Sequence, residues 1–168
     1  MAHRLRDQLL ASPGVSRALT AAEMLAFGRS VDPAQVDLAE YRQFCAERYA
    51  RNTVFRNDYF ELVVICWQPN QASSIHDHGR SHCLYVVVEG EMQEEMFAIN
   101  SAGRPRRTAA RSYRAGQITI AGPAEVHRIA NHASSHLVTV HLYSPPLDDA
   151  VTNFTPVPTY KTADSSSA

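Results

Sequence analysis

Lysine is nearly missing from this chain of 168 residues: Lys161 is the only one, and arginine supplies the rest of the 16 basic residues against 17 acidic ones. The formal charge is -1, so the overall balance gives no electrostatic support for a nucleic-acid or membrane-surface role. The arginines at 104, 106, 107, 111 and 114 read as the solvated face of a hairpin. Cysteine is also scarce. Cys45, Cys66 and Cys83 form no CxxC pair and are too scattered for a disulfide framework, which favours a reducing, cytoplasmic setting. No apolar run approaches the roughly 20 residues of a membrane span, and no signal-peptide core precedes a cleavage site.

What is present is an ordinary globular composition, 45% apolar and 20% charged, of a length that suits one hydrophobic core. One domain is expected over 1–168, with a helical part over 1–50, a β-barrel over 53–147 and a disordered polar tail over 162–168. An amphipathic start at Leu5 to Leu10 is followed by Thr20-Ala-Ala-Glu23, which has the form of a capping box. Asp32-Pro33 then predicts a further helix, with Val36, Leu38, Tyr41, Phe44 and Cys45 at helical spacing. From about Thr53 the texture changes to short segments rich in Val, Ile, Tyr and Phe, broken by Gly, Pro, Asn and Ser. Strands are expected at 59–67, 82–88, 92–99, 107–113, 117–120, 127–131 and 136–143. That many short strands must close or stack to bury one face each, so the fold is expected to be mainly β, a small barrel with N-terminal α-helices packed against it.

In His76-Asp-His78 the two imidazoles lie two residues apart, so an extended backbone sends both to one face, where they are able to grip one ion. Taken alone, such a pair is equally compatible with surface histidines on a loop. A third histidine, His127, appears about fifty residues later in Gly116-x10-His127-x3-Asn131. Three imidazoles would leave metal positions open, which favours chemistry over a structural role, but the ligand type does not name the metal.

The two-part arrangement resembles a cupin barrel of jelly-roll type, with Gly90 closing the turn after the first motif and Cys83 standing where many cupins carry a fourth, glutamate ligand. The surrounding text is more specific. Ser74-Ile-His76-Asp-His78, Ser81-His-Cys83, Val126-His-Arg128 and His141-Leu-Tyr143-Ser-Pro-Pro146, with Tyr49-Ala-Arg51-Asn52 and Cys66-Trp67 upstream, resemble the cysteine dioxygenase family from about Tyr41 to Leu147.

That resemblance implies one Fe(2+) per chain held by His76, His78 and His127, with a small thiol and dioxygen as the reactants and no nucleic-acid or membrane partner. It implies that Arg51 grips the substrate carboxylate with support from Tyr49, and that Tyr143, oriented by His141, reaches oxygen or substrate. Thr139, which stands where a serine is common in the family, is expected with Arg51 and Tyr49 among the substrate-binding residues. Cys83 matches a cysteine that some members join to the tyrosine by a thioether, so a Cys83 to Tyr143 crosslink is an expectation. The expected product is cysteine sulfinic acid. A related dioxygenase for 3-mercaptopropionate or mercaptosuccinate, a cupin with another metal, and a non-catalytic cupin remain open, as does monomer against homodimer. Trp67 reads either as a wall of the site or as core, and Asp77 and His82 as structural residues.

Overall fold

The computed structural model describes residues 3–10, 16–156 and 158–160. In chain order the elements are β1 (His3–Arg4), α1 (Leu5–Leu10), α2 (Ala21–Ser30), β2 (Val36–Asp37), a 3₁₀ turn (Ala39–Tyr41), β3 (Ala50–Arg56), β4 (Glu61–Trp67), β5 (His82–Glu89), β6 (Glu91–Ile99), β7 (Pro105–Arg114), β8 (Ile118–Ala121), β9 (Val126–Ala130) and β10 (Leu137–Ser144). The tail expected over 162–168 lies outside the described residues.

Two antiparallel sheets face each other. One has the order β3-β4-β10-β5-β8 and the other β7-β6-β9, while β1 and β2 form a small parallel pair. Every residue of β4 and of β10 is buried, because the five-stranded sheet is covered on both faces. Alternation along the strands separates the two cores. Leu62, Val64, Val140, Leu142, Leu84 and Val86 point outward and pack with Leu5, Leu9, Met24 and Phe27 of the helices. Val63, Ile65, Trp67, Cys83, Tyr85 and Tyr143 point inward and pack with Met92 of β6 and Ile129 of β9. Each fully buried Leu or Phe contributes roughly 1.5–3 kcal/mol, so both layers are apolar where chemistry is not required.

The capping box at Thr20 is formed: Glu23 N donates to Thr20 Oγ1 at 3.3 Å and Thr20 N to Glu23 Oε2 at 2.8 Å. The helix it starts, α2, lies on β5 and β8, close enough that a Cβ on Gly28 would come within 3.0 Å of Leu84.

The helix expected from Asp32-Pro33 is not there. Asp32 does accept from Ala34 N at 2.9 Å, but a single turn ends as Val36 pairs with His3, and only a short 3₁₀ turn follows. The spaced apolar residues Leu38, Tyr41 and Phe44 still reach the outer core, from a chain held by other partners. Asn52 Nδ2 donates to Gln43 O and Gln71 Nε2 to Cys45 O, which engages the backbone that a helix would have used. The strands β1, β2 and β3 are not among those expected, β1 and β2 lying within the part expected to be helical, while the seven expected strands fall within a few residues of β4 to β10.

The arginine-rich β7 is exposed along most of its length. Arg107 is paired with Glu95 at 2.9 Å and Arg114 with Glu91 at 2.8 Å, consistent with a solvated hairpin face.

Candidate metal centre

His76 and His78 lie on an extended connection between β4 and β5 rather than within a strand. The connection is fastened to β9 by paired backbone bonds of 2.9 Å, His76 N to His127 O and His127 N to His76 O. This bridge places all three imidazoles together, with ring centroids 4.8–5.3 Å apart. Their ligand atoms lie within 4.8 Å of one another. Asp77, between the two, is structural: its Oδ1 accepts from Gly79 N and Thr152 N.

Each Nδ1 has an acceptor of its own. His76 Nδ1 donates to Ser74 O at 3.0 Å, His78 Nδ1 to Gly122 O at 3.4 Å, and His127 Nδ1 to Glu94 Oε1 at 2.9 Å. A neutral imidazole carries one N–H, so these partners leave the three Nε2 lone pairs free to hold an ion. Burial disfavours the charged ring, helped by the neighbouring histidines, and lowers His76 to about 4 and His78 to about 2 from the ordinary 6.5. At neutral pH a metal therefore meets no competing proton on either ring. The residues fit a metal on these grounds.

A second line of groups runs along the inner face of β10. Trp67 Nε1 donates to Thr139 Oγ1 at 3.0 Å, Thr139 Oγ1 lies 2.8 Å from His141 Nε2, and His141 Nδ1 lies 3.1 Å from Tyr143 Oη. Arg51 Nη1 donates to the same phenol oxygen at 3.3 Å, and its guanidinium sits 5.3 Å from the Tyr143 ring centroid. Burial holds His141 well below its ordinary value, so it is neutral. Thr139 Oγ1 also reaches Ile65 O at 3.5 Å, so its proton has two acceptors within reach; with the ring N–H of His141 on Nδ1, that N–H goes to the phenol oxygen and the phenol proton is left to be donated elsewhere.

The other expected residues fall around this line. Cys83 is the direct strand partner of Tyr143, with its Sγ 3.9 Å from His141 Nδ1; burial pushes the thiol up, opposed by hydrogen bonding with Tyr85 and Tyr143. Tyr49 stacks on Trp67 at 4.4 Å, so Trp67 is both core and wall. Arg51, Tyr49, Trp67, His76, His141 and Tyr143 all border one cavity of about 20 Å³, room for about one water molecule. Thr139 does not border it and touches it only through His141. A wider opening of about 420 Å³ shares Tyr49 and Arg51 with that cavity and adds Arg48 and Cys45.

Sequence reasoning missed Glu94, Tyr85 and Glu61. Glu94 shares its strand phase with buried Met92, a signal that one acid of the Glu94-Glu95 pair faces inward. Tyr85 shares the phase of Cys83, and its hydroxyl lies 2.9 Å from His78 Nε2 and 3.0 Å from His127 Nε2. Glu61 stands 3.6 Å from Arg51 and 2.8 Å from Arg56, steadying the guanidinium from behind.

The fold and the clustered histidines define a cupin with a metal-binding triad. A Klebsiella pneumoniae protein with a double-stranded β-helix domain is 21% identical with a TM-score of 0.59, covering 70% of this chain and 88% of its own. A Thermus thermophilus protein is 20% identical with a TM-score of 0.56, covering 66% and 95%. The family model described as cysteine dioxygenase type I matches residues 12–155. Human cysteine dioxygenase type 1 is 34% identical over 150 residues, 86% of this chain and 73% of the human protein. The bovine protein of the same name is 36% identical over 115 residues, 66% of this chain and 58% of its own. The chain belongs to the cysteine dioxygenase type I family.

Proposed function

We propose that this protein is an iron-dependent thiol dioxygenase that converts L-cysteine and dioxygen to cysteine sulfinic acid in the cytoplasm. The observation that carries the reading is the meeting, in one small cavity, of His76 from the triad, a guanidinium at Arg51 and a phenol at Tyr143 flanked by Arg51 and His141. His76, His78 and His127 would hold ferrous iron, which supplies the binding of thiolate and the activation of dioxygen. The net reaction balances without a cosubstrate, since both oxygen atoms join the sulfur and the thiol supplies the electrons.

The protein residues bind and orient. Arg51 meets the substrate carboxylate with a planar fork suited to two oxygens. Tyr49 and Trp67 wall the carboxylate end, and Thr139 acts through His141 by holding its Nε2 at 2.8 Å. Tyr143 then holds a proton at Oη, placed to donate to an oxygen or to the substrate.

A second reading, a larger thiol acid such as mercaptosuccinate, has one observation in its favour: Arg48 stands beside Arg51 on the wide opening. The test is oxygen uptake and sulfinate formation by the iron-loaded protein with L-cysteine, 3-mercaptopropionate and mercaptosuccinate in parallel. L-cysteine is expected to be turned over best. A charged hydrogen bond contributes about 1.5–3 kcal/mol, so Arg51→Gln should raise KM for L-cysteine by about 10- to 100-fold. Faster turnover of mercaptosuccinate would replace the substrate while keeping the chemistry, and no iron-dependent uptake with any thiol would overturn the reading.

The pairing of Cys83 with Tyr143 across β5 and β10 also supports the thioether. Forming the sulfur–carbon bond removes one hydrogen from the thiol and one from the ring, with dioxygen as oxidant. Intact mass after turnover should therefore fall by two hydrogens in the parent and not in Cys83→Ser. An unchanged parent mass would show that the thiol stays free.

A further inference from the structure

Arg56 does not border the small cavity, yet a β-bulge near the end of β3 turns it toward the same face as Arg51. Arg51 pairs with Ile65 and Thr53 with Val63; the register then shifts, so that Phe55 faces Leu62 and Arg56 faces Glu61. Strict alternation would place Phe55 opposite Glu61. The extra residue sends Phe55 to the outer core and brings Arg56 beside Glu61, which is also the strand partner of Tyr143 on β10.

Glu61 is thereby shared by two guanidiniums. Its Oε2 accepts from Arg56 Nη1 at 2.8 Å, and Arg56 Nη2 donates to Leu147 O at 3.0 Å, which holds that arginine by both arms of its fork. The other carboxylate oxygen, Oε1, stays 3.6 Å from Arg51 Nη2, beyond hydrogen-bond distance. The Glu61 side chain is only 7% exposed, so water is a poor substitute for a lost partner. Two guanidiniums and one carboxylate leave one net positive charge on this edge of the site, enough for one substrate carboxylate.

We propose that Arg56 is a positioning residue for substrate recognition: it holds Glu61 off Arg51, so that the fork of Arg51 stays open to a single carboxylate. The inference rests on reading Arg51 as the group that grips the substrate carboxylate, and it explains why a buried glutamate beside that group does not occupy it. Without Arg56, the buried carboxylate is left with Arg51 as its cation and closes on it. The local charge then falls to zero, and a substrate has to displace an internal carboxylate before it binds. Removing the charge of Glu61 as well restores one net positive charge and frees the fork again.

Steady-state kinetics of the iron-loaded protein with L-cysteine test this on the parent, on Arg56→Gln and on the double variant Arg56→Gln/Glu61→Gln. Arg56→Gln is expected to raise KM about 10-fold, the low end of what a hydrogen bond to a charged group contributes, with the effect on KM rather than kcat. The double variant is expected to bring KM back close to the parent value. A folding defect would lower the active fraction, and with it kcat, without moving KM, so the two constants separate recognition from stability. An Arg56→Gln variant with the parent KM, or a double variant as weak as the single one, would overturn the assignment. Arg51→Gln shows how far such a failure reaches. If it raises KM and Arg56→Gln does not, only Arg56 loses its role; if neither raises KM, or the parent oxidises no L-cysteine, the reading of Arg51 falls as well.

Discussion

Replacing His127 with alanine is expected to leave a folded protein that retains no metal through purification and shows no thiol-dependent oxygen uptake above background. His127 is the triad member with the most support: its backbone pairs with His76, and its Nδ1 is held by a buried Glu94. Alanine removes one of the three proposed ligands while keeping the backbone bridge to His76, so the loss is confined to the imidazole. The graded companion is Glu94→Gln, which keeps the shape and a hydrogen-bond acceptor but removes the charge behind the ring. Partners behind metal ligands typically carry about 10- to 100-fold in affinity, so Glu94→Gln should bind metal more weakly by that factor while His127→Ala binds none. Metal analysis and chelator competition on the two variants check this. Equal metal content in His127→Ala and parent would move the centre elsewhere.

The order of these two effects follows from where the residues sit. On the proposed reading His127 would supply the lone pair, whereas Glu94 would only fix which nitrogen carries it. The same distinction separates Tyr143, which borders the cavity, from Thr139, which is fully buried and reaches the cavity only through His141.

Much of this arrangement was legible in the sequence because strand alternation is simple. His141 and Tyr143 are two residues apart, as are His76 and His78, so extended backbone alone puts each pair on one face. Resemblance then supplied what alternation lacks, the matching of Arg51 on β3 with Tyr143 on β10, an ordering of strands that no local pattern reveals. Tyr85 escaped for the same reason. Its inward phase was readable from Cys83, but whether it met helix, apolar core or triad depended on the order β10-β5-β8 and on the return of β9.

The failure at Asp32-Pro33 has a different cause. Local cap and apolar spacing were both genuine, yet Gln71 and Asn52, distant in sequence, took the carbonyls of Cys45 and Gln43. Helix propensity is a weak preference, and long-range backbone partners of this kind outweigh it.

The largest effect on stability is expected at Gly90, where alanine should lower the melting temperature of the protein steeply. Gly90 joins β5 to β6 with φ +82, and a Cβ built there would meet His136 O at 2.5 Å and Leu137 Cα at 3.2 Å. Both neighbours are backbone, at the start of the buried strand β10, and neither has a side-chain rotamer with which to yield. The left-handed conformation alone costs a residue with a Cβ roughly 1–2 kcal/mol. Forcing β10 aside costs about 1–3 kcal/mol more, by analogy with overpacking. A total near 3 kcal/mol corresponds to a fall of about 6–12 °C for a chain of this size. Gly103→Ala separates the two contributions, because Gly103 has φ +72 but nothing within 4 Å of the added methyl. Thermal unfolding should place Gly103→Ala about 2–8 °C below the parent, from its left-handed backbone alone, and Gly90→Ala lower still. The displaced strand begins two residues before Thr139, so Gly90→Ala should also loosen the hydrogen bond that fixes His141. Similar melting temperatures for the two variants would mean that β10 moves freely at its start, and that the position of Thr139 is set by Trp67 instead.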